Sequence, residues 1–147
     1  MRKEIAVRQK SLLKGILAGL AGGLVATAAR TYAERLYPPH REPAEPRAPA
    51  SIHWGIGALT GAAYGGLAEF YPAVTEKDGA SFGMTLATLT QNGLLPMTGL
   101  SMTGLSTSDL SVPAAQQTPR EQTSHMASHM VYGIVTETVR AVVRRFL

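Results

Sequence analysis

Gly15-Ile16-Leu17-Ala18-Gly19-Leu20-Ala21-Gly22-Gly23-Leu24-Val25-Ala26-Thr27-Ala28-Ala29 is the stretch that decides the fold. It carries no charge, and it repeats a glycine every fourth residue at Gly15, Gly19 and Gly23. A glycine inside a water-exposed helix costs about 1 kcal/mol relative to alanine. A row of them at helical spacing therefore has a packing reason: it flattens one strip of a helix and lets another backbone approach closely, as in membrane helices. Basic residues Arg2, Lys3, Arg8, Lys10 and Lys14 precede the run. Helix is predicted to continue past Arg30 until Pro38 and Pro39 stop it.

The same spacing recurs downstream at Gly57, Gly61 and Gly65, and again at Gly79, Gly83 and Ala87. The pattern predicts an all-α, glycine-packed, integral membrane bundle of four helices in a single domain, over about 12–37, 52–71, 79–104 and 122–146. A Pro-rich loop at 38–50 and a polar loop at 105–121 join them on the outer side. About 20 apolar residues suffice to cross the hydrocarbon core. The overall composition is less apolar than that of a chain lying wholly in lipid: 45% hydrophobic residues and a mean hydropathy of +0.03. The apolar residues are concentrated in the four segments. Two other readings compete. A cleaved signal peptide would end at Ala26-Thr27-Ala28, and a soluble helical bundle would bury the same runs.

Basic residues set the expected orientation. With the N-terminus in the cytoplasm, nine of the 14 Lys and Arg lie inside and five outside. An even number of crossings also brings the Arg-rich C-terminus to the cytoplasmic side of what is expected to be a bacterial inner membrane. The net charge of +4 with no basic-aromatic interleave argues against nucleic acid as a partner. The chain has no cysteine, which removes disulfide and thiolate chemistry.

Ionisable residues inside apolar segments are functional suspects. His53 opens the second helix, and His125 and His129 open the fourth, all toward the outer face. His125 and His129 stand four apart on one helical face, and Glu137 lies two turns further on. These four are the candidate polar path or ligand cluster. The structural alternative is that each imidazole caps a helix or bonds across an interface. Metal or haem at the outer-face histidines is the weaker alternative; no cofactor is otherwise expected. Glu69 and Arg140 are expected to pair across two helices, and Gln91 and Asn92 to hydrogen-bond within the bundle. The packing residues are Gly15, Gly19, Gly23, Gly57, Gly61, Gly65 and Gly83. His53-x-x-x-Gly57 and His129-x-x-x-Gly133 suggest two parallel helical-hairpin repeats. No nucleophile elbow or phosphate-binding loop occurs, so no enzyme is expected.

Leu95-Pro96-Met97-Thr98-Gly99-Leu100, followed by Ser128-His129-Met130-Val131-Tyr132-Gly133 and Thr136-Glu137-Thr138-Val139-Arg140, resembles the YagU family of bacterial inner-membrane proteins. The resemblance implies a polytopic inner-membrane protein and supplies no reaction. The connector between the first two helices is shorter here than in that family. His129 and Glu137 are the polar positions that the match carries across. Two functions follow as expectations. One is a non-enzymatic accessory or structural subunit, in contact with the lipid bilayer and packing against itself or a larger membrane complex; three glycine strips are more than a four-helix monomer obviously needs. The other is proton, ion or small-solute passage, or pH sensing, along the His and Glu residues.

Overall fold

The computed structural model describes residues 10–37, 50–91 and 118–147. Among these the chain is all-helical, with no strand. Helix α1 spans Leu12–Leu36, α2 Ala50–Phe70, α3 Ala80–Gln91 and α4 Pro119–Phe146, with a 3-10 segment at Pro72–Gly79 between α2 and α3. Ser11 caps α1 through its side chain, which accepts from the Lys14 N–H. The start of α4 is fixed by a capping box: the Thr118 side chain accepts from the Glu121 N–H, the Glu121 carboxylate accepts from the Thr118 N–H, and Pro119 occupies the first turn. That start lies three residues ahead of the sequence expectation. Of the expected third helix, 80–91 is observed and 92–104 lies outside the described residues.

Consecutive helices run antiparallel. Gly15 faces Gly65 and Glu69, Gly19 faces Gly61 and Gly65, and Gly23 faces Gly57 and Gly61, so α1 and α2 touch backbone to backbone. A methyl carbon on Gly15 would stand 2.6 Å from the Gly65 carbonyl oxygen, and one on Gly19 would stand 2.7 Å from the Gly65 Cα. On its other side α1 meets α4, where Gly22 abuts the Thr136 backbone. Helix α3 packs on α4 in the same way, with Gly83 against His129 and Gly133. The α2–α3 seam is different: side chains bridge it, the Tyr64 and Phe82 rings standing 4.3 Å apart. Tyr132 from α4 completes this aromatic centre, 6.4 Å from Phe82.

The distribution of residue sizes is the reverse of that in a water-soluble core. The buried hydrophobic residues are Ala18, Ala26, Ala62, Ala87, Tyr64 and Tyr132. The large aliphatic side chains point outward, among them Leu13, Leu17, Leu20 and Leu24 of α1, and Leu59, which is 71% exposed. Soluble monomers rarely expose apolar surface so continuously. Among the described residues, α1 is the one helix long and apolar enough to cross a membrane by length and composition.

The chain enters α3 through an uncommon backbone path. After Pro72 the 3-10 segment breaks: Glu76 is extended (φ −55, ψ 144), and Lys77 (φ 56), Asp78 (φ 53) and Gly79 (φ 82) all take positive φ. Two consecutive non-glycine residues in that region are costly. The path carries Gly79 onto Gly133, the fifteenth residue of the 28-residue α4. The third element therefore begins as a helix about half-way along the bundle. The sequence expectation placed that helix start at the bundle end.

Candidate functional site

The inward face of α4 collects the polar side chains in two clusters. The first lies toward the α4 N-terminal end. His129 is 2% exposed. Its Nδ1 lies 3.0 Å from the His125 carbonyl oxygen and its Nε2 3.5 Å from Arg30 Nη1. A proton on Nδ1 satisfies both contacts, with Nε2 accepting from the guanidinium. Arg30 is held in turn by Glu34, 2.8 Å away one turn on. The His125 ring lies tilted against that of His129 with centroids 4.3 Å apart, and among the described residues its buried Nδ1 has no hydrogen-bond partner. Ser128 is also buried and donates to the His125 carbonyl oxygen.

The second cluster lies deeper. Glu137 receives a bidentate fork from Arg140, with Nε at 2.6 Å and Nη2 at 2.7 Å, and the Tyr64 hydroxyl donates to its Oε2 at 2.8 Å. Near the C-terminal end of α4, Arg144 clamps Glu69 of α2 through Nε at 3.0 and 3.1 Å and through Nη2; the side chains are 4% and 7% exposed. Glu69 also accepts the Ser11 N–H at 3.0 Å, so one carboxylate joins α1, α2 and α4. Lys14 Nζ reaches the Leu147 carbonyl oxygen at the same end. Tyr132 donates from its hydroxyl to the Gly57 carbonyl oxygen at 2.6 Å, and Thr27 and Thr136 are buried with their hydroxyls bonded back to Gly23 and Tyr132.

The expected Glu69–Arg140 pair is replaced by two others, Glu69 with Arg144 and Glu137 with Arg140. Axial position gives the reason. Gly22 abuts Thr136 whereas Gly15 abuts Glu69. Seven residues down α1, about 10 Å, correspond to about seven residues up antiparallel α4, which brings Arg144 to the level of Glu69. Among the described residues no group of three or more His, Asp or Glu is arranged to hold a metal. His53 stands half-exposed in the first turn of α2. Gln91 ends α3, and Asn92 lies outside the described residues.

The hairpin repeat takes another register. Gly15 meets Gly65 and Glu69 as Gly79 meets Gly133 and Glu137. Tyr64-Gly65-x-x-x-Glu69 thus corresponds to Tyr132-Gly133-x-x-x-Glu137, and His129 falls opposite Gly61, not His53. Sequence reading overlooked Tyr64, Tyr132, Arg144 and the Arg30–Glu34 pair. The doubled Tyr-Gly-x-x-x-Glu was the available signal.

These features define an all-helical protein with a glycine-lined interior, paired ionisable groups inside it and aliphatic side chains outside. Residues 41–138 match the model of the DUF1440 family, described as a protein of unknown function, and the chain belongs to that family. The match takes in α2, α3 and most of α4. Neither the curated proteins nor the solved structures contain a match.

Proposed function

We propose that this protein is a non-enzymatic, multi-pass membrane protein. It crosses a bacterial inner membrane four times with both termini cytoplasmic, and it serves as a structural or accessory subunit. The inverted size distribution carries this reading: small residues inside, leucines outside. The exposed aromatics agree with it. Tyr32, Tyr37 and Trp54 cluster at one end, and Phe70, Tyr71 and Phe146 at the other. Trp54 and Phe70 are separated by roughly 24 Å of helix, close to the roughly 30 Å hydrocarbon core with its interfacial aromatic belts.

The structural role draws support from the Glu69–Arg144 pair, which binds α2 to α4, and from the Tyr64–Glu137 hydrogen bond between the same two helices. It draws none from spare glycine strips, because Gly15, Gly19 and Gly23 are taken up by α2, and Gly79 and Gly83 by α4. Contact with a second copy or a larger complex would therefore use the leucine-rich exterior. Alkaline carbonate extraction tests the membrane reading: the chain stays with the membrane pellet, and release into the supernatant refutes it. Gentle detergent extraction then tests the role. Co-migration with other membrane proteins supports an accessory subunit; a lone, colourless small species counts against it.

One observation favours a second reading, passage of a proton, ion or small solute. His125, His129, Glu137 and Arg140 follow one another along the inward face of α4. Alanine at His129 or Glu137 that abolishes flux in liposomes while leaving assembly intact favours passage; loss of assembly favours the scaffold.

A further inference from the structure

The 3-10 segment creates a conflict with a purely lipid-facing exterior. Glu76, Lys77 and Asp78 are exposed. Yet Asp78 adjoins Gly79, which is pressed against Gly133 at the middle of α4. From Gly133 to Phe146 is about 20 Å of helix. Exposed charges at that depth are not stable against hydrocarbon; in membrane proteins they face the interior or water. The adjacent α2–α3 seam is the one closed by rings and not by backbone. Beside it, Glu137 and Arg140 keep 12% and 11% exposure despite their central position. The three consecutive positive φ values bring the chain up to this level at an energetic cost, and strain of that kind collects at functional segments.

We propose that the 3-10 segment and the α2–α3 seam form a water-filled inlet, open at the Phe146 end, that reaches the middle of the bundle beside Glu137 and Arg140. This rests on the membrane-spanning reading. It places water, and small hydrated ions, within one side of the protein to half its depth.

The chain has no cysteine, so single-cysteine variants can be labelled with a membrane-impermeant maleimide in sealed vesicles of each orientation. Asp78→Cys and the unstrained Glu76→Cys probe the inlet. Leu20→Cys and Leu59→Cys probe the outward faces of α1 and α2 near the same level. Gel filtration of each variant in detergent selects those that keep the native size. The inlet predicts labelling of Asp78→Cys and Glu76→Cys at least tenfold faster than the leucine positions, and from the Phe146 side only. If Asp78→Cys is as protected as Leu20→Cys, the inlet is overturned while the membrane reading stands. If all four positions label equally from either side, the membrane reading fails, and the inlet with it.

Discussion

The two hairpins use one packing device for different ends. In α1–α2, three glycines on each helix interlock, and the charged groups drawn inward lie beyond the two ends of the strip: Glu69 at one and Arg30 with Glu34 at the other. In α3–α4, Gly83 of the helix and Gly79 just ahead of it meet the His129 backbone and Gly133, and the same interface carries His129 and Glu137. A long glycine strip leaves no room for side chains, so it makes a rigid but chemically silent pair. A short strip on a helix that begins half-way up leaves space, and polar groups fill it. Among the described residues, the polar side chains of the interior therefore gather along α4, with Arg30 of α1 and Tyr64 of α2 reaching in to meet them.

The largest effect that would break this comparison is expected in the first hairpin. Gly61→Val places its branched side chain against the Gly23 Cα and the Gly19 backbone, costing about 3 kcal/mol or more. The variant is expected not to accumulate as a monodisperse species in detergent. Wild-type behaviour would mean that the helices separate easily, removing the claimed rigidity.

Glu69→Gln leaves Arg144 buried without its carboxylate, and breaking a buried pair in this way costs roughly 3–5 kcal/mol. The thermal midpoint in detergent should fall well below wild type. Glu137→Gln should fall less, because Arg140 lies on the same helix and the amide oxygen still accepts from the Tyr64 hydroxyl. The opposite order would show that the second hairpin holds the bundle together.

Tyr132→Phe removes the hydroxyl bonded to the Gly57 carbonyl, a loss of about 1 kcal/mol, visible as a modest drop in midpoint. The smallest change is expected at Gly55, where an added methyl meets nothing within 4 Å. Gly55→Ala should gain roughly 0.5–1 kcal/mol from helix propensity. Destabilisation there would reveal a partner on that face.

Much of the architecture was legible because helical spacing is a local property. Glycines four apart must share a face, and Pro38 after Tyr37 must end a helix. The start of α4 is written in Thr118-Pro119-x-Glu121, the sequence form of a capping box. The site was read only in part. That His129 and Glu137 face inward follows from their spacing; that Arg30 and Tyr64 come to meet them does not.

The sequence by itself determined that this chain is helical, that its helices approach closely, and that polar residues line one face of α4, since periodicity and side-chain size are written residue by residue. Only the tertiary structure decided that Glu69 meets Arg144 and Glu137 meets Arg140, that the repeat aligns Gly65 with Gly133, and that α3 begins at mid-depth. Each of these depends on how far one helix is displaced along another. A repeat of four residues fits its neighbour at every turn, about 5.4 Å apart, and the pattern alone does not choose among those registers.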